Sequence, residues 1–165
     1  MCRINMVMDR QSENVMLFID ADACPKEIRE VIERLAAAYN IHCQFVASYQ
    51  HFSLNADKRY WTFIDDGREA VDLFILNNVQ KGDLVITQDI GLASLALSKG
   101  VYAFSTRGTE YREENIDTSL SFRYLYQVER KKGRYGGGPK KITSQDIERF
   151  SVNLNKFLIR HAGNE

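Results

Sequence analysis

The chain has 165 residues, enough for one domain with a sizeable core and too few for two. Hydrophobic residues make up 44% and charged residues 27%, which excludes disordered and fibrous classes, and no apolar run approaches the ~20 residues a bilayer requires. Lys+Arg and Asp+Glu both total 22, so the chain is not a uniformly basic nucleic-acid binder.

The charge is nevertheless uneven. Residues 123–165 carry ten basic and four acidic side chains, which leaves an acidic body over residues 1–122. Such asymmetry steers a polyanion toward a site that holds acids, provided a cation neutralises them; a solvated charged surface accounts for it equally well. Cys2, Cys24 and Cys43 are odd in number and lack CxxC spacing, which argues against a disulfide framework and a structural zinc site. Residues 1–14 hold no sustained apolar segment of the secretory kind, so the expectation is a cytoplasmic protein with no membrane partner.

In chain order, residues 1–14 read as a flexible tail and residues 15–165 as a single domain. The apolar run Val15 to Ile19 predicts a strand buried on both faces, closed by Asp20. From Pro25, Ile28, Val31, Ile32, Leu35 and Ala36 recur at helical spacing. A strand is expected over Ile41–Ala47, a polar connection over Tyr49–Asp57, a short strand over Tyr60–Ile64 and a helix over Arg68–Val79. The Lys81-Gly82-Asp83 turn launches a buried strand, Leu84 to Thr87, followed by Asp89. A short helix over Leu92–Ser98 is closed by Gly100, the usual residue for a left-handed position after a helix, and Val101–Phe104 is a further strand. Residues Glu113–Arg130 predict a helix, Gly136-Gly137-Gly138-Pro139 interrupts, and Ile147, Phe150, Leu154, Phe157 and Leu158 mark an amphipathic last helix that Thr143 and Asp146 cap. Alternating strands and helices with apolar rather than period-two strands predict an α/β protein, a three-layer α/β/α arrangement around a mainly parallel sheet.

In such a sheet ligands bind outside the carboxyl ends of the strands. Asp20 closes the first strand, Asp22 follows two residues later, and Asp89 follows the 84–87 strand; neighbouring strands would bring these carboxylates together. Asp72 joins them where its helix starts near the same edge. Converging carboxylates raise a pKa or bind a cation, and oxygen-only ligands favour Mg²⁺ or Mn²⁺, which activates water and offsets phosphoryl charge. Simpler roles compete: Asp89 and Asp22 each precede a helix and serve as caps there, and Asp83 belongs to its turn. Cys24 reads as structural, and His42, His51 and His161 have no ligand-like spacing.

The segments Ile19-Asp20-Ala21-Asp22-Ala23-Cys24-Pro25, Gly82-Asp83-Leu84-Val85-Ile86-Thr87-Gln88-Asp89, Arg107-Gly108 and Gly137-Gly138-Pro139 closely resemble the YaiI/YqxD family of uncharacterised bacterial proteins, over nearly the whole chain from Phe18 to Leu158. That family is similar in outline to PIN-like domains, metal-dependent nucleases on a compact α/β/α fold. The resemblance implies a metal-binding set of Asp20, Asp72 and Asp89, with Thr87 in a Thr-x-Asp motif and Asp22 as an additional acid, and it implies RNA rather than DNA as partner. Three positions depart from the family's pattern: Thr106 and Gly91 stand where Pro is usual, and Glu69 where Asp is common.

Arg107, after the 101–104 strand, suits bidentate contact with a phosphate, or an ion pair with Glu110 or another local acid. Basic residues among aromatics, with Lys131, Lys132 and Lys140 at the centre, suit a phosphate backbone with stacked bases; a flexible link to the last helix is the alternative. The expectation is a Mg²⁺- or Mn²⁺-dependent nuclease with Asp20, Asp22 and Asp89 catalytic, Asp20, Asp72 and Asp89 on the metal, and Thr87, Arg107, Lys131, Lys132 and Lys140 on the substrate. Two alternatives stand beside it: a noncatalytic nucleic-acid-binding module, and a small-molecule phosphatase with Asp20 as nucleophile, whose motif has Cys24 in place of the usual Thr or Val. A homo-oligomer is compatible with all three.

Overall fold

The apolar runs become the middle of one sheet. In a computed structural model, which describes residues 14–65, 68–116 and 141–162, six strands line up. They are β1 (Leu17–Asp20), β2 (Cys43–Ser48), β3 (Trp61–Ile64), β4 (Leu84–Ile86), β5 (Tyr102–Phe104) and β6 (Glu110–Tyr111), in the order β3-β2-β1-β4-β5-β6. All pairs are parallel except β5 with β6. Every residue of β1, β2 and β4 is buried, which is why their sequences lack the alternation of a half-exposed strand.

Four helices, α1 (Lys26–Ala38), α2 (Arg68–Asn78), α3 (Ile90–Ser98) and α4 (Ser144–Ala162), cover the two faces. Alternate strand residues divide the core. Leu17, Ile19, Phe45, Ala47, Leu84, Ile86 and Phe104 pack with α1 and α4, while Phe18, Val46 and Val85 pack with Val71 and Ile75 of α2, with Val79 just after it, and with Leu92 and Ala96 of α3. The protein is therefore a three-layer α/β/α structure, as expected from the sequence. Phe150, Leu154, Phe157 and Leu158 of α4 are fully buried, each contributing roughly 1.5–3 kcal/mol before the entropy of ordering the chain.

The connections explain the layering. The step β1-α1-β2 runs one way along the sheet, and the steps β3-α2-β4 and β4-α3-β5 run the other way. Right-handed crossovers then place α1 on one face and α2 and α3 on the other. The direction reverses between β1 and β4, which opens a crevice at their carboxyl ends.

β6 is absent from the sequence reading. Gly108, at φ +88°, turns the chain so that the Ser105 N–H donates to the Thr109 carbonyl (2.8 Å), and the two residues that then pair with β5 are too few to show periodicity. Gly100 does take the left-handed position after α3 (φ +79°). Of the helix expected over 113–130, residues 113–116 are helical and the rest lies outside the described residues, as do the glycine run and the tail at 1–13. Among the described residues no helix is long and apolar enough to cross a membrane.

Candidate functional site

The crevice between β1 and β4 is where the acids gather. Asp20 is the last residue of β1 and is 9% exposed. One strand over, Thr87 follows β4 and is fully buried; its hydroxyl donates to Asp20 Oδ2 (2.9 Å) and accepts from the Asp89 N–H (2.9 Å). A single hydroxyl thus ties the ends of two parallel strands together. Thr87 was expected to contact substrate; in the structure its hydroxyl is buried and engaged by Asp20 and the Asp89 N–H, where it orients Asp20.

Burial pushes the Asp20 carboxyl above the ordinary carboxylate range. The Thr87 hydroxyl works against this, and the negative charges of Asp22 and Asp89 add to it. Asp22 and Asp89 therefore lie close enough to act on Asp20. Asp89 is also the N-cap of α3, with Oδ1 accepting from the Gly91 N–H (2.8 Å) and the Leu92 N–H (3.2 Å), so its capping role and its place at the crevice coexist.

Asp22 does not cap the first long helix. That position is taken by Pro25, without a side-chain cap, and Asp22 sits in a 3₁₀ turn over Ala21–Ala23. Its carboxylate reaches across to the end of β2, accepting from the Ser48 N–H (3.0 and 3.2 Å to its two oxygens) and lying 2.7 Å from His51 Nδ1. Sequence reasoning set His51 aside. It lies 29 residues from Asp22 in a polar connection, and no spacing rule could have joined them.

Asp72 sits on α2, partly buried, four residues after the helix begins at the carboxyl end of β3. That is the side of the sheet the reading required, although the acids that press on Asp20 are Asp22 and Asp89. Arg107 lies beyond β5 and pairs with Asp146 of α4, an acid distant in sequence, while its side chain stays 30% exposed. Lys131, Lys132 and Lys140 fall outside the described residues. Cys24 is buried with its thiol pushed up to about 12, chiefly by that burial, as suits a structural residue.

Among the described residues, no three His, Cys, Asp or Glu side chains stand close enough together to form a ready-made metal cage. The donor set is instead the kind Mg²⁺ accepts: one or two carboxylates, with water and a substrate phosphate completing the coordination. A separate open cleft of about 450 Å³ between the β5–β6 hairpin and α4 is lined by Glu110 and Glu114 against Arg112, Lys156 and Arg160, and by none of the candidate acids.

Comparison with known proteins agrees with the motifs. The model of the family described as "Uncharacterized BCR, YaiI/YqxD family" matches residues 18–160. The chain is similar to the UPF0178 protein Lmo1456 of Listeria monocytogenes serovar 1/2a, 42% identical over 142 residues, covering 86% of this chain and 94% of that protein. It is also similar to a UPF0178 protein of Bacillus pumilus, 41% identical over 162 residues, covering 98% of this chain and 96% of that one. No solved structure matches. The chain belongs to the YaiI/YqxD family.

Proposed function

We propose that this member of the YaiI/YqxD family is a Mg²⁺- or Mn²⁺-dependent phosphodiesterase acting on nucleic acid, RNA in preference to DNA. The observation that carries this reading is Asp20, a buried carboxylate at the sheet's switch point with its pKa raised, facing two further acids. A divalent cation at that edge would offset the cost of burying this carboxylate beside two other acids. Asp20 and Asp89 would hold the ion, with Asp72 in reach of the same edge. A divalent cation bound there supplies the charge that activates water and offsets the negative charge building on phosphorus. Thr87 fixes the orientation of Asp20, and Arg107 with Lys131, Lys132 and Lys140 would hold the strand.

Both acids can be removed without dismantling the fold. Asp20→Asn keeps an acceptor for the Thr87 hydroxyl, and Asp89→Asn keeps a good N-cap. Each substitution is expected to lower metal-dependent RNA cleavage by at least about a hundredfold while circular dichroism stays unchanged. Cleavage retained in both variants would remove the assignment.

A second reading, a nucleic-acid-binding module without turnover, draws support from the lack of a three-group cage among the described residues. Salt-sensitive RNA binding that survives both substitutions, with no cleavage by wild type in either metal, would favour it. The phosphatase reading is weaker, because it needs Asp22 as a free acid and base, and that carboxylate is engaged by Ser48 and His51.

A further inference from the structure

Beside the acidic crevice, the sheet carries a row of aromatic rings that the core does not use up. It begins inside, where Phe45 stacks on Trp61 (centroids 4.9 Å), and continues through Trp61 on Phe63 (5.7 Å, 14° between planes). Phe63 then meets Phe52 edge-on (5.0 Å) and Tyr49 (6.4 Å). Phe45 is fully buried, Trp61 and Phe63 are partly buried, and Tyr49 and Phe52 are 52% and 50% exposed. Two rings therefore reach solvent, backed by further aromatic rings.

The outer end of this row is fastened to the crevice. Tyr49 and Phe52 flank the short 3₁₀ turn that follows β2, and Asp22 grips that turn at both ends through the Ser48 N–H and His51. Asp22 is also one of the charges acting on Asp20. One cation accompanies the row: the Arg29 guanidinium lies 5.5 Å from the Trp61 centroid. Flat apolar rings with a guanidinium on the same row complement a nucleobase attached to a phosphate.

We propose that Tyr49 and Phe52 form a base-stacking subsite, which receives one unpaired base of a strand whose phosphate lies at the Asp20 edge. The proposal deepens the phosphodiesterase reading and rests on it for the position of the phosphate. Only an extruded or single-stranded base can reach the rings, so the subsite would select unpaired over duplex nucleic acid.

The test is fluorescence anisotropy of labelled oligouridylate and of a duplex of equal length, titrated with the full chain in EDTA so that no turnover is needed. Quenching of Trp61, the one tryptophan in the chain, provides a second signal. Wild type should prefer the single strand. The double variant Tyr49→Ala/Phe52→Ala should lose about tenfold or more in affinity, Tyr49→Leu/Phe52→Leu should not restore it, and Tyr49→Trp/Phe52→Trp should. Absence of single-strand binding by wild type, wild-type affinity in a folded alanine variant, or full rescue by leucine would each overturn the subsite. A dimer in sedimentation equilibrium that the alanine variant dissociates would also overturn it, assigning the rings to a second copy. Ring-dependent binding without cleavage in any metal would sink the phosphodiesterase reading alone, and cleavage indifferent to the rings would sink the subsite alone.

Discussion

Two buried aspartates sit at the same edge of this sheet in opposite electrostatic circumstances. Asp146, at the start of α4, is surrounded by donors: the Thr143 N–H (3.0 Å), Arg107 and Arg149 all reach its carboxylate, and the Asp146 N–H donates to the Thr143 hydroxyl (3.1 Å). The Thr143 N–H above all, then the two guanidinium groups, hold its pKa below the ordinary range. Asp20 has one hydroxyl donor and two acids for company, and burial drives its pKa up. A carboxylate saturated with donors explains itself as structure: it closes a capping box and fastens the β5–β6 turn to the last helix. A carboxylate left short of positive charge calls for a ligand.

The largest expected effect breaks the structural partner of this pair. Gly108 holds φ +88°, and a Cβ there would lie 2.7 Å from the Phe150 backbone nitrogen and 2.9 Å from its Cα. Gly108→Ala combines left-handed strain with a backbone collision, about 3 kcal/mol or more, so thermal unfolding should shift down by roughly 6–12 °C. An unchanged Tm would mean that the turn does not rest on α4 as described.

The next prediction sharpens the contrast through pH. The raised pKa of Asp20 means that the native state binds its proton more tightly than the unfolded chain, so its contribution is complete in acid and is lost as the pH rises through the raised value. Asp20→Asn should raise Tm at neutral pH, by about 2–4 °C for each kcal/mol relieved, and should abolish any Tm increase produced by Mg²⁺. Asp146 carries the opposite sign. Its contribution is complete above the ordinary carboxylate range and disappears as the pH falls through its lowered value, so Asp146→Asn should lower Tm at pH 7 and flatten the acid limb of the stability curve. Calorimetric scans from pH 3 to 8 separate the two, and slopes of the same sign would dissolve the comparison.

The smallest effect concerns Thr106, between the two acids in the chain's path. Among the described residues its buried hydroxyl has no hydrogen-bond partner. Thr106→Val keeps the shape and removes the orphaned group, and should raise Tm by about 2–4 °C, equivalent to about 1 kcal/mol.

Much of this was legible in the sequence. Apolar runs without alternation gave the buried strands, helical spacing gave α1 and α4, and Thr143 with Asp146 gave the capping box that the hydrogen bonds complete. Asp20 and Asp89 could be brought together because both follow strands whose burial was readable. What could not be read depends on distant pairings. The Asp22 to His51 contact joins residues 29 apart through a connection without periodicity, and β6 exists only because a glycine turn folds two residues back on β5. The hydrogen bonds of Thr87 were hidden too: its hydroxyl meets Asp20 only because β1 and β4 are neighbours in the sheet.

The strand order has a consequence for how the protein is made. β1 finds β2 soon after synthesis, but its other neighbour begins 67 residues downstream of Leu17, and the Thr87 hydroxyl is equally far from Asp20. At ribosomal speed that interval is roughly 3 to 13 seconds, during which the nascent chain carries a strand edge with no partner and an acid with no tether. The sheet face that α4 later covers waits longer still, until Leu158 has emerged. Translation therefore completes the crevice before it completes the core, and the nascent protein has the outline of its site before it has the stability to keep it.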